Sequence, residues 1–232
     1  MIIYNGVALE TVAPVMVEDV RVSPIQMSAV ARQRPIRWGS DFVRLGGGSR
    51  TVAVTFALID ENPESRAERL AAVTRWARSD TPGRLEVPGH IGRHIECLCT
   101  SLPEPSTRQW WESKLRLVFT TFDNPYWTDN AERTAACGTA FYVEGTAPPL
   151  MRIETTLTGT GNNVTYSDGT NTMAFTGLGA GALVIDLDKQ TAALGGVSVM
   201  SAYGFNSRFI IPRAGRQTIT GTGTVKFVQR WD

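Results

Sequence analysis

Three groups of side chains in this 232-residue chain have the types and spacing that chemistry needs. His90, His94, Cys97 and Cys99 follow one another as H-x3-H-x2-C-x-C, and all four are metal-ligand types. On a strand, however, Cys97 and Cys99 stand two apart and share a face, while Ile95 belongs to the alternating pattern around them. Zinc sites favour a C-x2-C turn that wraps the ion. The expectation is small buried cysteines and two exposed hairpin histidines, with no metal. Asp186 and Asp188 in VIDLDKQ could bind calcium or act as acid and base. They alternate with Ile185 and Leu187 and no calcium-loop pattern follows, so they read as the solvent side of a strand entering a turn. The stretch FTTFDNPYWTD, 119 to 129, sets aromatics beside Asp123, which could serve a sugar cleft. Strand alternation instead groups Phe119 with Leu115 and Leu117. Asp123 and Asn124 become turn residues before Pro125.

No nucleophile elbow, P-loop, dinucleotide fingerprint or HExxH occurs. Both histidines lie in one hairpin, so a Ser/His/Asp or Cys/His site has little support. The expectation is a protein that is not an enzyme and needs no cofactor. The segment ARQRPIRWGSDFVRLGGGSR, 31 to 50, carries five arginines against one aspartate. It could meet phosphates. Arg and Trp are also favoured anchors of protein interfaces, and the net charge is only +1. The candidate interface loop is therefore Arg34, Arg37, Trp38, Phe42, Arg44, Gly46, Gly47 and Gly48. The three glycines confer backbone freedom at a loop or hairpin tip. Trp110 and Trp111 face opposite ways on extended chain, so at most one could serve as a sugar platform.

The elements that would position these residues are mostly strands. TVAVTFALID puts Val52, Val54, Phe56 and Leu58 on one face. Asn62 is the natural N-cap of a helix over 63–79, with Pro63 at N1 and Glu64 in the first turn. Ala67, Leu70, Val73, Trp76 and Ala77 recur at helical spacing. Thr81–Pro82–Gly83 ends it. Further strands are expected near 2–4, 7–10 and 15–22, on either side of Pro88–Gly89–His90, and over 114–122. Residues 128–149 are small and polar, with a stiff bend at Pro148–Pro149. They mark the expected boundary between a domain 1–130 and a domain 131–232. Beyond them lie short Thr-, Val- and Gly-rich runs at 150–157, 163–167, 171–176, 182–187, 191–195, 197–200, 208–211, 216–220 and 224–230. That spacing predicts a small β-sandwich or barrel. Hydrophobic residues make up 42% of the chain, enough for a sizeable core. Three cysteines argue against a disulfide framework and for a reducing cytoplasm. Neither a signal peptide nor a membrane anchor is expected.

The order of these motifs resembles the distal tail (Dit) family of siphophage tail tips. Its first carriers are RTVAVTFALIDENPESRAERLAAVTRWARSDTPGRLEVPG and LRLVFTTFDNPYWTD. In the latter, Phe119, Phe122, Asp123, Pro125, Tyr126 and Trp127 match a phenylalanine strand running into an Asp-Pro-aromatic turn, and Asn124 departs from it. LVIDLDKQTAALGG and IIPRAGRQTITGTGTVKFVQRW resemble the hairpin and the closing strands of that family's second domain. The resemblance implies a mainly β virion protein, with a ring-forming first domain carrying one amphipathic helix and a second domain that is a β-sandwich, galectin-like or similar. It implies a hexameric ring at the distal end of a phage tail. The ring would join the tail tube protein to tail-tip hub, tail-associated and receptor-binding proteins, and DNA would pass through its channel. The chain would be made in the host bacterial cytoplasm. Pro125, Tyr126 and Trp127 would form the joint between the domains. Two other readings are a tail tube subunit of the same virion and a carbohydrate-binding module. The latter would need an exposed aromatic row drawn from Tyr166, Phe175, Tyr203 and Phe205.

Overall fold

The computed structural model describes residues 1–26, 28–33, 40–45, 48–59, 62–103 and 114–232, with backbone alone over 28–33 and 40–45. The chain forms two compact units, Met1–Trp127 and Thr128–Asp232. Both are built mainly from antiparallel strands.

In the first unit the strands are β1 (Ile3–Tyr4), β2 (Val7–Ala8), β3 (Val15–Val22), β4 (Ser28–Gln33), β5 (Ser40–Leu45), β6 (Thr51–Leu58), β7 (Gly83–Glu86), β8 (Arg93–Ser101) and β9 (Leu115–Thr120). A helical turn, α1 (Leu9–Val12), and one longer helix, α2 (Pro63–Ala77), complete it. Strand β6 is central. It pairs with β3, Val15 opposite Leu58, and with β9, Thr51 opposite Thr120. Pairing then runs from β9 through β8, β7 and β1 to β2. Val52, Val54, Phe56 and Leu58 are buried, as are Leu115, Leu117 and Phe119 of β9. Tyr4, Trp76 and Phe119 form an aromatic cluster with ring centroids 5.1 to 6.3 Å apart. The Trp76 indole N–H donates to the Val7 carbonyl at 3.0 Å, which gives its polar edge a partner.

Helix α2 starts as its sequence requires. Asn62 is extended at the N-cap and its Oδ1 accepts the Ser65 N–H at 2.8 Å, with Pro63 following in the first turn. The buried face differs from the expected stripe: it is Arg66, Leu70, Val73 and Ala77, while Ala67 is exposed. An arginine takes the place because its methylene stem can cover apolar surface. Residues 9–10, expected to continue a strand, instead enter α1. Gly83 follows from a close approach, since a Cβ there would collide with the Asn5 amide.

The second unit carries β10 (Trp127–Ala136, whose first residue ends the first unit), β11 (Ala140–Val143), β12 (Ala147–Leu157), β13 (Asn162–Ser167), β14 (Thr172–Leu178), β15 (Gly181–Asp186), β16 (Thr191–Leu194), β17 (Val197–Ser198), β18 (Gly215–Thr218) and β19 (Thr224–Trp231). One sheet has the order β17-β16-β15-β12-β19-β10, beside two two-stranded ribbons, β13–β14 and β11–β18. Alternate residues of the large sheet (Met151, Ile153, Leu183, Ile185, Val225, Phe227) share one core with Val164, Tyr166, Met173 and Phe175 of the β13–β14 ribbon. Isolated bridges tie that ribbon to the rest, Phe175 to Tyr203 and Ser167 to Thr220.

Residues 128–149, expected to mark the domain boundary, include β10, β11 and the start of β12, and the division into units falls between Trp127 and Thr128. Other expectations are corrected. Pro148–Pro149 lies within β12, where the pairing with β19 shifts register between Ala147 and Leu150. A bulge tolerates prolines, which have no N–H to give the ladder. Residues 208–211 form no strand, and 197–200 give two strand residues followed by a 3-10 turn over Met200–Ala202. Replacing Asn62 by Ala is expected to cost about 1 kcal/mol through the lost cap, measured as a lower midpoint in urea unfolding with an unchanged slope.

Candidate functional site

Most of the side chains with chemical potential are committed to structure. In the β7–β8 hairpin, His94 and Cys97 are buried and His90 is half-buried. The expectation of two exposed histidines is thus corrected. The His90 imidazole lies flat on the Trp127 indole, centroids 4.0 Å apart and 10° between planes. Burial lowers the His90 pKa, and the Arg93 and Arg50 charges push it the same way. The neutral ring is therefore the form that stacks. Burial raises the Cys97 thiol far above its ordinary value, and likewise raises Cys99 and Cys137. Thiolates, the nucleophilic and metal-binding form, are disfavoured at all three. Among the described residues no three His, Cys, Asp or Glu side chains stand close enough to hold a metal ion.

The acidic pairs are spent on turns. Asp186 Oδ1 accepts the backbone N–H groups of Asp188 and Lys189 at 3.1 and 3.0 Å. Asp188 pairs with Arg230 at 2.6 Å. Around FTTFDNPYWTD, Phe119 is core, and Phe122 and Asp123 are exposed. Asn124 Oδ1 accepts the Tyr126 N–H at 3.2 Å, which closes the turn. Pro125 and Trp127 are buried and Tyr126 is half-buried. Trp127 is the last residue of the first unit.

The backbone geometry that stands out is edge and ribbon. Among the described residues strand β3 pairs with β6 alone, and none of its residues is fully buried. Met16 is exposed on it, and Glu18 and Asp19 hold Lys114 and Arg21 at 2.6 Å each. Among the described residues strands β4 and β5 pair only with each other, from Ser28 opposite Leu45 to Gln33 opposite Ser40. Phe42 and Arg44 occupy β5, in register with Ala31 and Ala29. Gly48 is half-buried beyond it. The other members of the candidate loop, Arg34, Arg37, Trp38, Gly46 and Gly47, lie outside the described residues, as do Trp110 and Trp111.

In the second unit, Tyr166 and Phe175 are fully buried, and Tyr203 packs between Phe175 and Phe209 at 5.2 and 4.9 Å. Phe205 alone of the four expected aromatics is wholly exposed, so these residues make no stacking row for sugar. Sequence reasoning missed a polar groove of about 570 Å³ between the β13–β14 turn and the segment leading into β18. Two arginines in PRAGRQ were its only signal. It also missed the His90–Trp127 stack, which joins residues far apart in the chain.

No helix among the described residues is long and apolar enough to cross a membrane. A scan of protein-family models gives no match. No curated protein matches in sequence. Solved structures do match in fold. The SPP1 Dit protein, described as a paradigm of the hub adsorption apparatus in phages infecting Gram-positive bacteria, superposes with a TM-score of 0.74 at 16% identity. The alignment covers 99% of this chain and 98% of that one. A chain of the phage p2 baseplate, in its activated conformation with strontium, aligns over 95% of this chain and 91% of its own. Its TM-score is 0.40 at 10% identity, a superposition too loose to compare elements. The chain therefore has the mainly β fold of a phage hub protein.

Because the folded state favours neutral His90, the unfolded chain binds more protons below its pKa of 6.5. The His90 contribution to stability is expected to be present above pH 6.5 and lost as pH falls towards the depressed folded value. Melting temperatures between pH 7.5 and 5 should show this slope, and His90→Phe should flatten it. Trp127→Ala should cost about 3–5 kcal/mol, as a buried aromatic is removed, read by chemical denaturation.

Proposed function

We propose that the chain is a structural hub protein of a phage tail tip, of the distal tail type, and not an enzyme. The observation that carries this is the whole-length likeness to the SPP1 hub protein, which runs through both units at a TM-score of 0.74. A likeness confined to the first unit would have suited a tail tube subunit as well. The spent acids, buried thiols and stacked histidine support an assembly part.

In this reading the first unit forms the ring, six copies around a channel through which DNA passes. The β3 edge offers unpaired backbone groups to a neighbouring copy. The β4–β5 ribbon, with the candidate loop Arg34, Arg37, Trp38, Phe42, Arg44 and Gly46 to Gly48, reaches a neighbour or the tail tube protein. The second unit faces the tail-associated and receptor-binding proteins of the tip. Pro125, Tyr126 and Trp127 form the joint that leads from one unit to the other, a role that suits their place at the boundary. The chain is made in the host cytoplasm and ends in the virion.

Antibody labelling of intact virions tests the placement. Gold is expected at the distal end of the tail, and negative-stain images of the purified chain should contain six-fold rings. Label along the length of the tail, or tubes growing from purified protein, would favour the tube subunit. Virions that carry none of the chain would overturn both.

A further inference from the structure

The polar groove of the second unit has two walls. One is the turn joining β13 to β14, with Asp168 and Thr170. The other is the segment from Ile211 to the start of β18, with Arg213, Arg216 and Gln217. Both walls are held in place by hydrogen bonds. Asp168 Oδ1 accepts the N–H groups of Thr170 and Asn171 at 2.8 and 2.6 Å, which sets the shape of the turn. Ser167 and Thr220 exchange backbone hydrogen bonds at 3.2 and 2.8 Å, so the turn is tied to the chain just past β18. The Arg208 N–H donates to the Thr172 carbonyl at 2.8 Å, which anchors the run leading to Ile211. Gln217 Nε2 donates to the Arg213 carbonyl and ties its amide to the loop that carries that arginine. The groove encloses about 570 Å³, within the size range of small-molecule sites.

Its chemistry is mixed in a specific way. Arg213 and Arg216 are exposed cations three residues apart, on either side of Gly215, and among the described residues neither forms an ion pair with an acid. Gly215 sits at φ +92, a conformation glycine adopts without strain, which lets the loop turn between the two arginines. Guanidinium groups recognise phosphate and carboxylate through paired N–H donors. Asp168 adds a carboxylate to the opposite wall. It repels a bare anion but accepts hydrogen bonds from hydroxyl groups. Thr170 and Gln217 can both donate and accept. Ile211 is exposed and supplies an apolar edge. A free phosphate meets the two arginines and is opposed by Asp168. A neutral sugar leaves the arginines without a counter-charge. A ligand that carries hydroxyl groups and an anionic group together satisfies both walls.

We propose that this groove binds an anionic polyol or saccharide, a chain of hydroxyl-bearing units carrying phosphate or carboxylate groups. Such polymers coat bacterial surfaces. The residues that make the groove belong to the second unit, whatever assembly the first unit enters.

Calorimetric titration of the full-length chain tests this with four probes: a poly(glycerol phosphate) oligomer, an oligogalacturonate, a neutral maltooligosaccharide and inorganic phosphate. Binding to one of the two anionic polymers is expected, and which one binds identifies the source of the charge. Arg213→Gln and Arg216→Gln should each weaken it by about 10-fold, with melting temperature unchanged because both side chains are exposed. Arg78→Gln, on the first unit, should leave it unaltered. No binding of either anionic polymer at millimolar concentration overturns the proposal. So does inorganic phosphate or the neutral sugar binding as tightly as the polymers, or wild-type affinity in both arginine variants.

Discussion

Strand β6 has a neighbour on each edge and a face that must be kept from water, and the first unit is arranged around that requirement. Val52, Val54 and Phe56 are fully enclosed, and β9 sets Leu117 and Phe119 beside them. Each large side chain shielded this way contributes about 1.5–3 kcal/mol. Tilted and edge-to-face aromatic contacts in the Tyr4–Trp76–Phe119 cluster add about 0.5–1.5 kcal/mol per pair. Trp76 belongs to α2 and Tyr4 to β1, so this one cluster ties helix, chain start and central sheet together. A register slip of one residue in β6 would turn its apolar set outward. The pairings of β3 and β9 are fixed by the same alternation, and so is the identity of the free edge.

The second unit solves the same problem without a helix. Its large sheet turns Ile153, Leu183, Ile185, Val225 and Phe227 inward, and the β13–β14 ribbon closes over them with Tyr166 and Phe175. Arg152, Glu154 and Lys226 form a charged group on the partly exposed face of β12 and β19. Glu154 takes Lys226 at 2.8 Å and Arg152 at 2.6 Å, and Arg152 also reaches Glu132 at 2.7 Å. The Lys226 and Arg152 hydrogen bonds lower the Glu154 pKa. Arg152 and Lys226 stand opposite each other across β12 and β19, and Glu154 bridges the two cations, which offsets their repulsion. With core and sheet settled, the connections are free to vary, and the groove is made from two of them.

Where one physical signal dominates, the sequence is readable. Asn62-Pro63 announces α2 because an N-cap and a first-turn proline meet needs that few other places have. Strands β6 and β9 are legible because one face is wholly apolar. Strand β10 is not, since Asn130 to Thr134 are all exposed and no period-two pattern survives. Pro148–Pro149 reads as a bend by every local rule, yet the bulge in β12 absorbs it. Arg66 in the buried face of α2 is invisible to a pattern that scores arginine as polar. The pairing of His90 with Trp127 depends on strands meeting, which no local window contains. The groove is hidden for the same reason: Arg213 and Arg216 look like a solvated loop until the β13–β14 turn is brought opposite them. The resemblance to the distal tail family rests on the order of motifs, and the likeness in fold at 16% identity covers 99% of the chain.

An assembly part of the proposed kind needs an edge that accepts one partner and refuses others, and β3 has features that suit this. A long, flat, apolar edge strand would pair with any similar edge. Strand β3 is eight residues long, but its ladder is broken by a register shift between Val17 and Asp19, and Glu18, Asp19 and Arg21 crowd that point. Charge and bulge discourage indiscriminate pairing. They also set a condition that a partner strand can meet, with matching charges and a matching break in register. In the proposed ring, a second copy would supply that partner at high local concentration on the tail. The same features that hold the edge back in isolation would then select one neighbour and one register.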